Sequence, residues 1–272
     1  MTDLTPIRLR PASDRRRFRT IWISDVHLGT RGCNAAMLVD FLDRTDSETM
    51  YLVGDMIDGW RLKKRFHWPA AHNDVVFRLL KRAKRGTRMI YIPGNHDEMF
   101  RQFSGMDFGG IAIRRKAIHA TADGRRLLVL HGDEFDAVTM AQPWLAHVGD
   151  HAYTMLMAIN RVFNAVRRRM GLPYWSLSRH AKSRVKNAVA FISRFEEVVA
   201  KAAGSRGVDG VVCGHIHTAD LRDIGGVAYY NDGDWVESCT ALVEHFDGRM
   251  EILNWADEVA GRVHNQPLAL AA

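Results

Sequence analysis

Thr20-Ile21-Trp22-Ile23-Ser24-Asp25-Val26-His27 sets a short apolar, partly β-branched run directly against a carboxylate and an imidazole two residues apart. Four such residues are too few for a helix and suit a strand buried on both faces, so 20–23 is predicted to be a core strand with Asp25 and His27 at its end. The same phrase recurs four times. Residues 50–53 run into Gly54-Asp55, 89–92 into Pro93-Gly94-Asn95-His96-Asp97, 127–130 into His131-Gly132-Asp133, and 211–213 into Gly214-His215-Ile216-His217.

Between the first three runs, residues 35–44 and 73–85 place apolar side chains such as Val75, Val76, Leu79 and Leu80 at helical spacing, with Gly86 as a stop. This β-α-β-α-β alternation predicts an α/β fold with a parallel sheet. Residues 112–120, 227–230, 241–246 and 250–253 read as later strands, turned at Gly124 and at Asp247-Gly248, which predicts a second, partly antiparallel sheet. Residues 143–203 carry no strand pattern and read as two or more helices broken around Gly171-Leu172-Pro173. Because this stretch falls between two of the motif segments, it is predicted to be a helical cap inserted over the site. One domain is expected over 18–255, with a flexible arginine-rich arm at 1–17 and a tail at 256–272.

In layered α/β proteins ligands bind beyond the carboxyl ends of strands, so the five motif segments should converge on one crevice. Singly, each fits a turn or a helix cap. Five in succession, each directly after an apolar strand, point instead to Asp25, His27, Asp55, Asn95, His131, His215 and His217 as ligands of two divalent cations. Carboxylates, one amide oxygen and imidazoles, without thiolates, suit Mn²⁺, Fe²⁺, Zn²⁺ or Co²⁺ better than Ca²⁺. Asp55 can bridge two ions, because its two oxygens accept independently, and a pair of ions about 3.5–4 Å apart suits in-line displacement at phosphorus.

Charge and cysteine usage narrow the setting. A net charge of +7 among 272 residues favours an anionic partner without choosing one. Three scattered cysteines, Cys33, Cys213 and Cys239, suggest neither a disulfide framework nor a thiolate zinc site and fit a reducing cytosol. No secretory h-region is seen, and no apolar run approaches the ~18 residues of a membrane span.

The motifs D-x-H, G-D, G-N-H-D, H and G-H-x-H, over about residues 21–253, resemble the calcineurin-like metallophosphoesterase superfamily. The resemblance implies a four-layer α-β-β-α sandwich, one ion on Asp25, His27, Asp55 and His217, and the other on Asp55, Asn95, His131 and His215. It also implies a hydrolase in which His96 donates a hydrogen bond or proton to a phosphate or leaving oxygen, with Asp97 orienting its ring. Within the superfamily, the motif order, the cap after His131 and the stretch Asn231-Asp232-Gly233-Asp234-Trp235-Val236-Glu237 are similar to the UDP-2,3-diacylglucosamine pyrophosphatase family of lipid A synthesis. That likeness implies Mn²⁺, a lipid-linked nucleotide cleaved to UMP and an acylated sugar 1-phosphate, and work at the cytoplasmic face of the inner membrane. Position 96 departs from that family, whose third motif usually reads Gly-Asn-Arg-Asp. Histidine cannot reproduce arginine's bidentate phosphate contact, which leaves the substrate within the class open.

The cap supplies the remaining candidates. Trp144, Leu145, Val148, Ala152, Met155, Leu156, Ile159, Val162, Phe163 and Val166 form an apolar stripe followed by Arg167-Arg168-Arg169, a pattern suited to acyl chains or an anionic membrane surface. Asn95, His96, Asp136, Arg179, Lys182 and Lys186 are predicted to contact substrate. The basic, aromatic stretch 58–68 either grips a phosphate or base or is merely solvated. A phosphodiesterase or nuclease of the same superfamily, acting on another nucleotide or nucleic acid, is the nearest rival, although no stable nucleic-acid complex is expected. A non-catalytic, membrane-associated binding module is the other. Oligomeric state is not legible.

Overall fold

In the computed structural model, residues 15–136 and 178–264 are described, without the side chains of 178–190, 263 and 264. Contacts divide the chain into two units, 1–133 with 200–272, and 134–199. The first unit holds two sheets. Strand β1 (Arg16–Ile23) is followed by helix α1 (Ala35–Arg44), β2 (Thr45–Leu52), the short helix α2 (Gly59–Lys64), α3 (Ala70–Lys84) and β3 (Arg88–Tyr91). A 3-10 turn, Glu98–Phe103, then leads to β4 (Asp107–Phe108), β5 (Ile111–Ile113), β6 (Ala117–Ala120) and β7 (Arg126–Val129). After α4 (Ser178–Gly204) come β8 (Gly210–Cys213), β9 (Asp220–Ile224), β10 (Val227–Asn231), β11 (Thr240–Glu244), β12 (Met250–Asn254) and α5 (Trp255–His264).

The larger sheet has the order β12-β11-β1-β2-β3-β5-β4, and the smaller β6-β7-β8-β10-β9. Both are mixed: β1, β2, β3 and β5 are parallel neighbours, as are β7, β8 and β10, while the flanking strands run antiparallel. Alternation along each strand explains why the apolar runs are continuous. Ile21, Ile23, Met50, Leu52, Met89 and Val243 face the helical side with Leu38, Phe41, Val75 and Leu79, whereas Trp22, Tyr51, Val53, Ile90 and Leu242 pack with Leu127, Val129, Val212 and Tyr230 of the second sheet. In register, Trp22 lies opposite Tyr51 and the two rings stack at 5.7 Å. The last turn of α4 meets the smaller sheet where Gly204 comes up against Val227.

The fold is α/β with two mixed sheets, as expected, but several segments fall elsewhere. Residues 112–120 are not one strand: β5 belongs to the larger sheet and β6 to the smaller, and Arg114-Arg115-Lys116 make the crossing because three successive cations cannot enter either core. β11 and β12 join the larger sheet through β1 rather than the second sheet. β9 was not legible, since its sequence Asp-Leu-Arg-Asp-Ile is that of a polar edge strand. Arg16 and Arg17, expected in the arm, pair with Thr45 and Asp46. The start of the expected tail is helix α5, held by Trp255 and Arg262, whose side chains both donate to Asp40 Oδ2 at 3.0 and 2.8 Å. Most of the predicted cap, including the apolar stripe and Arg167 to Arg169, lies outside the described residues. No described helix is long and apolar enough to cross a membrane.

One buried polar knot ties the sheets together. Glu244 on β11, fully buried, accepts from Arg19 at 2.7 and 2.8 Å, from Thr20 at 2.8 Å, from Ala122 N at 2.7 Å, and lies 2.9 Å from His119 Nε2 on β6. Burial acts to raise the carboxyl pKa, yet these donors, His119 first, hold it at about 2. Glu244→Ala would leave Arg19 and His119 facing each other unpaired, and should cost about 3 kcal/mol or more, read from the urea midpoint; a loss below ~1 kcal/mol would remove this knot from the account of stability.

Candidate metal centre

The carboxyl ends of β1, β2, β3, β7 and β8 deliver the predicted residues to one place. Asp25 Oδ1 lies 3.1 Å from His217 Nε2 and 3.8 Å from His27 Nε2. Asp55 Oδ2 lies 3.4 Å from His131 Nε2, 3.8 Å from His27 Nε2 and 3.9 Å from His96 Nε2. Among the described residues, three groupings have donor atoms close enough for one ion each: Asp25, His27 and His217; Asp25, Asp55 and His131; and His27, Asp55 and His96. The ring of His215 lies 5.1 Å from that of His131, and its backbone N–H donates to Asp25 Oδ2 at 2.9 Å. Asn95 sits between Gly94 and His96, with its Oδ1 buried.

Backbone strain is concentrated on these residues. Among the described residues, six other than glycine have positive φ, and five of them are Asp25, His27, Asp55, His215 and His217, at 50–71°. Side chains rarely tolerate that region, so its gathering here marks a site where geometry overrides local preference. Glycines make the close approach possible. A Cβ at Gly94 would overlap Asp55 and His131, one at Gly54 would enter the His131 ring, and one at Gly214 would strike Ser24 and Asp25.

The donor set fits divalent cations on a direct observation. Asp25 Oδ1, His27 Nε2, Asn95 Oδ1 and His131 Nε2 are buried with no hydrogen-bond partner, an expensive condition that an ion would relieve. The opposite ring nitrogen of His131 is turned to the carbonyl of Val53 at 2.8 Å, which reserves Nε2 as an electron-pair donor. Charge points the same way. Burial opposes ionisation of Asp25 and Asp55, but the neighbouring histidines hold Asp25 well below the usual carboxylate range and Asp55 at about 2. Burial likewise opposes a charged His27, and the carboxylates of Asp25, Asp58 and Asp55 reverse this and raise it to about 10. Protons on the imidazoles thus stand in for positive charge that the carboxylates demand.

Asp97 is corrected by the structure. Its carboxylate is fully buried and turned away from the His96 ring, accepting from Met56 N at 2.8 Å, Gly94 N at 2.6 Å and the Tyr91 hydroxyl. It holds the 93–97 loop in shape. The carboxylate beside His96 belongs to Asp58, whose Oδ1 lies 3.2 Å from His96 Nδ1 and whose Oδ2 lies 3.4 Å from His27 Nδ1. Three residues beyond Asp55, Asp58 reads in sequence as an ordinary helix cap, and it does cap α2 by accepting from Arg61 N at 2.8 Å. Of two further residues beside the ligands, Trp60 lies in the 58–68 stretch whose sequence reads either as gripping a phosphate or base or as solvated, and Ser24 escaped sequence reasoning. Trp60 lies against the His96 ring at 4.2 Å, and Ser24 hydroxyl bridges Asp25 to the buried Asp232. The rest of the 59–66 segment is exposed for the most part, including Arg61, Lys63, Lys64 and Arg65. Asp136 lies in the second unit, and the side chains of Arg179, Lys182 and Lys186 are outside the described residues.

An α/β sandwich with carboxylates and imidazoles gathered at strand ends is the architecture of a metal-dependent phosphoesterase. The chain belongs to the calcineurin-like phosphoesterase family, whose model matches residues 18–219, and that family uses divalent metals. A curated relative, the UDP-2,3-diacylglucosamine hydrolase of Blochmanniella pennsylvanica, is 22% identical over 160 residues, covering 54% of this chain and 62% of that protein. The match therefore spans less than two thirds of the relative. Among solved structures, the phosphoesterase Yfce of E. coli is similar at 13% identity and a TM-score of 0.41, covering 86% of this chain and 98% of that one. A conserved uncharacterized protein of Streptococcus pneumoniae TIGR4 is similar at 13% identity and a TM-score of 0.38, covering 88% and 90%.

The signs of the shifts set a pH dependence. His27, raised from 6.5 to about 10, stabilises the metal-free fold fully below pH 6.5 and loses that contribution as pH rises towards 10. Asp55, lowered from 3.8 to about 2, contributes above pH 3.8 and is lost below it. A cation must displace the imidazole protons, so Mn²⁺ binding should release protons and tighten from pH 6 to pH 8. Calorimetric titration in buffers of different ionisation enthalpy measures this; binding without proton release would contradict the charge balance described.

Proposed function

We propose that the chain is a binuclear-metal hydrolase of phosphoester or pyrophosphate bonds, acting on UDP-2,3-diacylglucosamine or a related lipid-linked nucleotide to release UMP and an acylated sugar 1-phosphate. The observation that carries the hydrolase reading is the convergence of four orphaned, buried ligand atoms from three different motif segments. Asp25, His27, Asp55 and His217 would hold one cation, and Asp55, Asn95, His131 and His215 the other, with Mn²⁺ the first choice and Fe²⁺, Zn²⁺ or Co²⁺ the alternatives. When bound, such a pair supplies a nucleophile at neutral pH and charge to stabilise an in-line displacement.

The chain's own residues do the rest. The Asp58 carboxylate lies 3.2 Å from His96 Nδ1 and Trp60 rests on the ring, which leaves Nε2 facing the Asp55 side of the crevice. With a proton on each nitrogen, His96 can donate from Nε2 to the leaving oxygen while Asp58 keeps the ring from turning. Asp25 and Asp55 repel a phosphate unless cations intervene, so substrate binding depends on the metal. The lipid-nucleotide substrate is supported by the name of the curated relative and by the resemblance of the motif order, and work at the cytoplasmic face of a membrane by that resemblance alone.

His96→Ala should lower kcat by about 10²–10⁴ at unchanged metal content, and Asp58→Asn by about 10–100-fold. Turnover of bis-p-nitrophenyl phosphate with Mn²⁺ reads both, and normal turnover in the His96 variant would remove that residue from the mechanism. Incubation with UDP-2,3-diacylglucosamine should give UMP and the acylated sugar phosphate by mass analysis. Intact lipid beside active cleavage of the simple ester would retire this substrate and keep the hydrolase.

A further inference from the structure

The opposite end of the larger sheet carries a second concentration of charge, unrelated to the metal centre. Where β1 begins, Arg15, the end of α1 and one face of α3 line a shallow cleft that is partly open to solvent. Its charged lining is Arg15, Asp43, Arg78, Lys81, Arg82 and Arg85, five cations against one carboxylate. That carboxylate is already committed, since Asp43 accepts from Arg78 Nε and Nη2 at 2.9 and 2.8 Å. For the other four cations, the only carboxylate within ion-pair range among the described residues is Asp46, 4.0 Å from Arg15.

Two of these arginines are buried with donors unused. Arg82 is 4% exposed; its Nη2 serves the backbone of Leu42 and Thr45, but its Nε and Nη1 have no partner among the described residues. Arg15, 9% exposed, likewise has an unpartnered Nε. Burial, with Arg15 and Arg85 nearby, lowers the pKa of Arg82 to about 10, although Asp46 and Asp43 oppose the shift. Buried guanidinium N–H groups left unpaired are costly. Donors spread over several guanidinium and ammonium groups suit the separate oxygens of a tetrahedral oxyanion better than a single chloride ion.

We propose that this cleft between α1, α3 and the start of β1 is a binding site for a phosphate-type oxyanion, distinct from the catalytic crevice. The eight residues of β1 separate the two by about 26 Å, so an ion here is neither substrate nor product in place. It acts on the fold instead, by joining the amino end of β1 to the α1–α3 pair that covers the sheet. The oxyanion can be free in solution or the headgroup of a lipid.

The full-length, Mn²⁺-loaded protein is titrated calorimetrically with inorganic phosphate, beside a variant carrying Lys81→Glu and Arg85→Glu. These two side chains reach solvent and lie outside the catalytic machinery, so the variant should fold and keep its turnover of bis-p-nitrophenyl phosphate. The wild type should bind one phosphate more than the variant, and phosphate should raise the wild-type Tm by at least about 3 °C beyond sodium chloride at equal ionic strength. A parallel arm uses vesicles of phosphatidylcholine with and without phosphatidic acid. Phosphatidate-dependent sedimentation lost in the variant marks a lipid headgroup as the source, and its absence beside retained phosphate binding marks the free ion. Equal phosphate stoichiometry in wild type and variant, or an equal Tm rise with chloride, overturns the site.

Discussion

Three buried carboxylates, Asp25, Asp55 and Asp58, meet within a few ångströms of the same imidazoles, and such a group cannot persist without positive charge between its members. Everything at the strand ends follows from that demand. His27 contacts all three acids, at 3.8, 3.8 and 3.4 Å, and is held charged in an environment that would otherwise strip its proton. The atoms left without partners are those that a cation would engage. Because the sheets lock the strands in register, neither sheet can relax to disperse the charge.

That rigidity has its own source. The first sheet is buried on both faces, by helices on one side and by the second sheet on the other, and the Glu244 knot joins β1 and β11 to β6 where a purely apolar contact would allow sliding. Strain can then be placed where function requires it. Left-handed backbone at Asp25, His27, Asp55, His215 and His217 costs on the order of 1–3 kcal/mol per residue, sustained by the strands behind them and by glycines that leave room for the neighbouring ligands.

Asp58 and Asp97 share the support of this crevice in a way that their spacing conceals. Asp97, adjacent to His96 in sequence, is drawn inward by three backbone N–H groups and a tyrosine, and shapes the loop. Asp58, 38 residues before His96, reaches both His96 and His27, so one carboxylate steers the proposed proton donor and a proposed ligand together. At the other end of β1 the imbalance is reversed: guanidinium groups are buried without enough carboxylates, as imidazoles and carboxylates are without cations at the strand ends. Both imbalances sit where strands start or stop, because only there can side chains reach beyond the packed layers.

The identity of the core strands and the convergence of their ends were determined by sequence alone, since a buried parallel strand must be apolar on both faces and its functional residues must follow it directly. Tyr51 to Asp55 or Ile90 to His96 fits an ordinary turn when read singly, and the succession of five such segments is what decides the reading. Tertiary structure alone decided which sheet took β5, β6, β11 and β12, and that Arg16 and Arg17 belong to a strand, because pairing partners and not local pattern make an edge. It alone decided between Asp58 and Asp97 as the partner of His96. A carboxylate turns towards the donors nearest in space, and distance along the chain carries no information about which those are.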